Sequence, residues 1–439
     1  MTADSVARVR SLGDTFAVTQ WLTPSELQLY QAARACRLLK HARKTTKYYK
    51  NRFDVDLDQP AALGKIWSDF PIITRREAVE NRLNLFARKM PPESGPARDG
   101  KTSGSTGAPF KFKRSAMMDV AATAMTERMM GWWSVDGSKS HAVVANDSTK
   151  KGRPPEGITT EGWHSKHPNG LRHFLAATTD VDVVLQWLLL RQPRYLSSYP
   201  PVLKELALNA RQRSLALKFD LVFGFATVLD IETRDLVRSA FGAEIAETYG
   251  SEEAGHLAAQ CPDCGELHVS AESVIVEILR PDGSPASDGE FGRVVVTPLY
   301  NYAMPLIRYE LGDWAERGSA VPACGRGLPA LRRILGRTRN MLRFRDGTVV
   351  WPVTGSFRIP DFISLKQYQI VQTDLDRLEI RYVPADADRP VDLPALTQRI
   401  RTVLRQPVEI AVRSVAQIDR SASGKYEECI SVLSENQTR

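Results

Sequence analysis

No stretch of this 439-residue chain is both long and apolar. The run at 221–229 falls far short of the roughly 20 residues a helix needs to cross a bilayer, so no membrane partner is expected. The first ten residues contain no apolar core of a secretory leader, so a cytoplasmic location is the expectation. Cysteine is sparse and odd in number, at five. Cys36 and Cys429 stand alone and read most simply as reduced thiols. Neither charge sign dominates: 59 Lys and Arg against 51 Asp and Glu leave +8. With no clustered basic–aromatic module, nucleic acid is not an expected partner. Internal repeats and low-complexity tracts are absent.

What is present is ordinary for a globular protein: 43% hydrophobic and 25% charged residues. The length calls for two or three structural units. The sequence 23–26 (Thr-Pro-Ser-Glu) signals a helix start, and helical spacing covers 15–50. Helices are also expected at 116–133, where methionines form a core stripe, and at 181–191, 201–210 and 232–241. Strands are expected at 195–199 and 221–225, so helices and strands alternate as in parallel α/β layers. Segments 273–279 and 292–300 read as a hairpin. The polar stretch 147–169, with His164 and His167, reads as a surface excursion. From 378 onwards two strands, 378–383 and 408–414, flank a helix at 393–404, a small α+β unit. A hinge is expected near 336–339.

The segment 101–110 (Lys-Thr-Ser-Gly-Ser-Thr-Gly-Ala-Pro-Phe) carries the most chemistry. Thr102, Ser103, Ser105 and Thr106 supply hydroxyls, while Gly104 and Gly107 permit positive φ and close backbone approach. Such a loop turns its N–H groups onto an anion. No Gly-Lys-Ser/Thr follows, so it is not a Walker loop. By itself it is equally readable as a polar surface turn.

Further motifs follow in order: 247–253 (Glu-Thr-Tyr-Gly-Ser-Glu-Glu), 308–313 (Arg-Tyr-Glu-Leu-Gly-Asp), 335–339 (Leu-Gly-Arg-Thr-Arg) and 421–425 (Ser-Ala-Ser-Gly-Lys). In this order and spacing, over about 20–430, the chain resembles the acyl-adenylate-forming superfamily. Within it, the chain is most similar to the phenylacetate–CoA ligase, CapK and coenzyme F390 synthetase-like branch. The resemblance implies an α/β architecture. A large adenylation domain of layered mixed sheets and helices (1–337) would be followed by a small mobile α+β lid domain (338–439).

It also implies an enzyme that joins a carboxylic acid to ATP as acyl-AMP, releases pyrophosphate and passes the acyl group to coenzyme A. An amine or a carrier-protein thiol is the alternative acceptor, as in secondary metabolism. The loop 102–107 would hold the β,γ-phosphates, with Thr106 assisting departure of pyrophosphate. Tyr249 and Gly250 would line the adenine slot, and Glu253, or Glu252 beside it, would hold Mg²⁺. Asp313 would accept from the ribose hydroxyls, with Arg337 adding a ribose or phosphate contact. Lys425 would place its ammonium where charge builds in adenylation. The aryl or arylacetic substrate would face Tyr199, Phe225, Ala226 and His256.

Two departures stand out. Arg339 occupies the hinge position where Asp or Lys is usual, and Ala226-Thr227 replaces a Gly-Glu pair. A non-catalytic nucleotide or acid sensor is the rival reading, opposed by the presence of Lys425, Glu253 and Asp313. The oligomeric state stays open, a homodimer being one option.

Cys261-Pro-Asp-Cys264, His268 and the later Cys324 make four soft ligands at spacings that suit a closed, structural zinc site. Reduced, unligated cysteines are the alternative. The seven arginines between 326 and 345 are readable either as a solvated basic face or as a contact for coenzyme A phosphates or an acidic carrier protein.

Overall fold

The computed structural model describes residues 2–102, 110–147, 150–337, 340–351, 354–386, 390–418 and 428–433. It is a mixed α/β fold in two compact units. One unit joins residues 1–136, 164–168 and 246–334; the other joins 137–163, 169–245 and 335–439.

In the first unit, the helix expected over 15–50 is two helices, Ala3–Thr19 and Pro24–Thr45. Thr23 and Glu26 form a reciprocal capping box, and Pro24, which lacks an N–H, fits a first turn but not a helix interior. Seven strands follow one another across this unit's sheet in the order 274–279, 291–298, 309–317, 330–337, 267–269, 255–260 and 245–251. The hairpin expected at 273–300 is present, Val274–Leu279 pairing antiparallel with Phe291–Pro298. The helix Ala116–Trp132 buries Met118, Met125, Met129 and Met130, as its methionine stripe suggests. A separate hairpin, Ala97–Lys101 with Lys111–Ser115, is in register Lys101↔Lys111, which places Thr102 and Phe110 just beyond its last pair.

The second unit contains the parallel layer. His141–Ala145 lies between Leu171–Ala176 and Tyr195–Ser198, and the latter pairs with Leu221–Phe225, all parallel. Helices Val181–Arg191, Pro200–Gln212 and Ile231–Phe241 provide the crossovers. Ile158–Glu161 adds an antiparallel edge strand within the stretch read as a surface excursion. The same unit carries a four-stranded sheet ordered 409–414, 377–384, 365–374, 429–431. The helix Leu393–Leu404 packs Leu396, Ile400 and Leu404 into its core. Strands Leu365–Asp374 and Cys429–Ser431 have no counterpart in the sequence reading. Among the described residues, no helix is long and apolar enough to cross a membrane.

Candidate active site and metal centre

The glutamate motif sits on an antiparallel hairpin in the first unit, Ile245–Ser251 with Gly255–Gln260. Its register shifts between Tyr249 and Gly250. A Cβ on Gly250 would stand 2.7 Å from the Gly255 carbonyl oxygen, so the close approach of the two strands requires glycine there. The turn is fastened by the Ala254 N–H donating to Ser251 Oγ at 3.0 Å. It separates the two acids: Glu253 is buried, at 5% exposure, whereas Glu252 faces solvent beside Arg114.

Tyr249 donates its hydroxyl to the Asp313 carboxylate at 2.8 Å. Asp313 lies on strand Tyr309–Arg317, just past Gly312, whose φ of +80° turns the chain at a residue without a Cβ. The same strand starts with Tyr309, whose hydroxyl lies 3.5 Å from Glu253 Oε1. Burial first, and then the nearby Glu253 charge, push the Tyr309 hydroxyl above the ordinary tyrosine pKa.

Thr102 closes the base of the 102–110 loop. Its N–H donates to the Phe110 carbonyl at 3.0 Å, and its Oγ1 accepts from the Phe110 N–H at 3.0 Å and from Arg75 at 2.9 Å. Arg75 also reaches Glu253, at 3.9 Å. Thr102, Arg75, Phe110, Tyr309 and Glu253 therefore form one connected group, with Phe110 and Tyr309 stacked at 6.1 Å. Ser103, Gly104, Ser105, Thr106, Gly107, Arg339 and Lys425 lie outside the described residues.

Arg75 was not singled out from the sequence, because it opens a six-residue helix with no motif around it. Its placement depends on Arg308, another residue given no role in the sequence reading. The Arg308 carbonyl accepts from the Ile73 N–H at 2.9 Å, and the Ile73 carbonyl accepts from the Glu310 N–H at 2.9 Å. The buried Arg308 side chain pairs with Glu277 at 2.9 Å and donates to the carbonyls of Ser68 and Phe70. The arginine of the 308–313 motif thus anchors the segment that delivers Arg75.

His256 is also in this unit. Its Nδ1 is 2.8 Å from Ser270 Oγ, and its Nε2 is buried without a hydrogen-bond partner among the described residues. Burial, reinforced by Arg128, lowers its pKa to about 3, so the ring is neutral near pH 7.

In the second unit, Tyr199 is buried and accepts the Asn146 N–H at 2.9 Å, with Phe225 packed edge-on at 5.2 Å. Ala226 has φ +68°. The backbone at this departure keeps the left-handed conformation that glycine favours, a strained state for alanine. Arg337 ends the strand Ala330–Arg337, immediately after Gly336 with φ +111°.

The ligand atoms of Cys261, Cys264, His268 and Cys324 all lie within 4.8 Å of one another. A tight turn brings the first two together: the Gly265 N–H donates to the Cys261 carbonyl at 2.9 Å, with Gly265 at φ +76°. His268 sits on the short strand Leu267–Val269, its Nε2 3.1 Å from Cys324 Sγ. Arg326 donates to Cys261 Sγ at 3.2 Å and to Asp263 at 2.8 Å, with Trp21 and Trp132 each about 5 Å from its guanidinium. Arg332 and Arg333 pair with Glu316, and Arg345 with Asp376. Four of the seven clustered arginines are therefore occupied locally.

No family model matches the chain. Among curated proteins, it is 28% identical to a phenylacetate–coenzyme A ligase of Thermus thermophilus over 53% of this chain and 59% of the relative. It is 26% identical to protein CapK of Staphylococcus aureus over 45% of this chain and 44% of that protein. A phenylacetate–coenzyme A ligase of Escherichia coli aligns at 26% over 81% of this chain and 82% of its own length. The chain thus spans only about half the length of the first two relatives. Among solved structures, 2-hydroxyisobutyryl-CoA ligase in complex with 2-HIB-AMP superimposes with a TM-score of 0.74 at 17% identity, over 93% of this chain and 90% of that one. An anthranilate CoA ligase with anthranoyl-AMP gives 0.55 at 15%, over 74% and 65%.

The fold is that of the adenylate-forming ligases. In sequence the chain is similar, at 26–28% identity, to CapK and to the phenylacetate–coenzyme A ligases.

Proposed function

We propose that the protein activates a carboxylic acid, of the aryl or arylacetic class, in two steps. A carboxylate oxygen attacks the α-phosphorus of ATP, the bond to pyrophosphate breaks, and acyl-AMP forms. The thiol of coenzyme A then attacks the acyl carbonyl and AMP leaves. The observation that carries this reading is the convergence of the Thr102, Tyr249–Glu253 and Tyr309–Asp313 segments in one unit, through the contacts of Tyr249 with Asp313 and of Arg75 with Thr102 and Glu253.

Within it, Asp313 receives the ribose hydroxyls, and Tyr249 holds that carboxylate and packs beside the base. The 102–107 loop takes the β,γ-phosphates, fastened at Thr102 and Phe110, with Arg75 as an added cation and Arg337 as a further contact. Glu253 is an oxygen donor of the type Mg²⁺ requires, and the ion, when bound, neutralises phosphate charge. Lys425 supplies its ammonium to the first step, and residues 338–439 act as the lid that pivots near Arg339. Neutral His256 positions substrate through its unpaired Nε2, while Tyr199 and Phe225 provide aromatic surface. Cys261, Cys264, His268 and Cys324 hold a structural Zn²⁺. Three thiols and an imidazole within 4.8 Å match its tetrahedral preference, and four protein ligands leave no open position.

ATP–pyrophosphate exchange over a panel of benzoic, arylacetic, cinnamic and heteroaryl acids, with and without coenzyme A, tests the proposal. Exchange with one acid group and thioester formation on adding coenzyme A supports it. Exchange without thioester redirects the second step to an amine or a carrier thiol. Absence of exchange with every acid overturns the reading.

A further inference from the structure

Lys204 is 2% exposed, on the helix Pro200–Gln212 of the second unit. Its ammonium lies 2.9 Å from Asp230, 3.0 Å from Glu232 and 3.1 Å from Glu428, and donates to the Tyr368 hydroxyl at 3.2 Å. Tyr368 in turn donates to Glu232 at 3.3 Å. The partners come from two places. Asp230 caps the helix Ile231–Phe241, taking the Thr233 N–H at 2.7 Å, and Glu232 is in that helix's first turn. Tyr368 lies on Leu365–Asp374, and Glu428 directly precedes Cys429–Ser431, its carbonyl accepting from the Ile370 N–H at 2.7 Å. Lys425 is three residues upstream of Glu428.

An ion cluster is an uneconomical way to glue two surfaces permanently, because removing four charges from water offsets much of their attraction, and apolar packing would hold at least as well. It differs from an apolar seam in being separable. On parting, Lys204 keeps Asp230 and Glu232, while Glu428 and Tyr368 are both readily hydrated. The lysine offers three N–H donors, and the cluster uses them across the join.

We propose that Lys204 is a positioning residue, a releasable latch that clamps Glu428 and Tyr368 and so holds the segment carrying Lys425 for acyl-AMP formation. This rests on the reading above that Lys425 serves the first step. The latch engages in adenylation and opens for transfer to the acceptor thiol.

Glu428→Gln removes one charge from the tether and leaves Lys204 its pairs with Asp230 and Glu232; Lys204→Met removes the clamp itself. Both are compared with wild type in three measurements: ATP–pyrophosphate exchange, single-turnover thioester formation from chemically prepared acyl-AMP and coenzyme A, and amide hydrogen exchange. Exchange of label into ATP is expected to fall roughly tenfold to hundredfold, the scale of a small misplacement of a reacting group. Thioester formation from acyl-AMP should be unchanged or faster. Amides of residues 429–431 should exchange about tenfold faster, with those of 97–101 unchanged. Equal losses in both half-reactions that track melting temperature would mark Lys204 as merely structural and overturn the proposal. Unaltered half-reactions and unaltered protection at 429–431 would overturn it too. If wild type itself shows no exchange with any acid, the proposed function fails, whereas the protection at 429–431 still decides whether the clamp exists.

Discussion

The Tyr249 hydroxyl donates to the Asp313 carboxylate at 2.8 Å, joining two motifs 64 residues apart. If Asp313 receives the ribose, the tyrosine acts on nucleotide affinity through that carboxylate. Tyr249→Phe keeps the ring and loses one hydrogen bond to a charged group. The KM for ATP is expected to rise about tenfold, with kcat changed far less and the melting temperature nearly constant. Steady-state kinetics at saturating acid check this.

That pairing shows how much of the site was legible. Thr102 stands out through the glycines and hydroxyls of its loop, whereas Tyr249, Glu253 and Asp313 were singled out only through the resemblance of their motifs, and the structure brings these segments together in one unit. The helix at 231–241 was legible through the 3.6-residue period of its apolar face, which buries Leu236, Val237 and Phe241. Arg75 was invisible, since its role arises from Ile73 bridging to Arg308 and Glu310, a contact between distant segments that leaves no local pattern. Lys204 was hidden likewise: a lysine in a helix reads as solvated surface until three carboxylates from other elements converge on it. Strand Leu365–Asp374 escaped because its alternation is interrupted by buried polar residues, Gln367 and Gln372.

Arg308 offers a structural test. Its guanidinium is buried against Glu277 and two backbone carbonyls. Arg308→Met would strand the Glu277 carboxylate and free the segment that delivers Arg75. A loss of about 3–5 kcal/mol is expected, the usual scale for breaking one side of a buried pair. Urea unfolding measures it, and an Arg308→Met/Glu277→Met double variant should recover part of the loss.

Metal removal tests the cysteine cluster. Protein prepared without a metal-binding tag is expected to hold about one zinc per chain. Stripping it should lower the melting temperature, because binding free energy at such a site is also folding free energy. Cys324→Ser should lose both the metal and that stability increment, while Cys36→Ser keeps the metal. Metal analysis with parallel thermal melts reads both.

Stability should decline in acid. His141 and His256 are each held to about 3, chiefly by burial, with Arg172 and His173 adding to it at His141 and Arg128 at His256. Both are neutral in the fold and take up a proton on unfolding below their ordinary 6.5. Their contribution is therefore complete above pH 6.5 and is lost progressively as the pH falls towards 3. Around pH 4–5 the pair accounts for about two protons taken up on unfolding. The pH dependence of the urea midpoint measures this, and His256→Asn should lower the uptake by about one proton.

The most direct measurement follows oxygen. With the acid identified by exchange, its carboxylate is labelled with oxygen-18 and the products of a full turnover with ATP and coenzyme A are weighed by mass spectrometry. Formation of acyl-AMP and its cleavage by a thiol leave one carboxylate oxygen on the phosphate of AMP, so labelled AMP is the expected result. Unlabelled AMP, or label in inorganic phosphate with ADP as the nucleotide product, would contradict adenylation at this site.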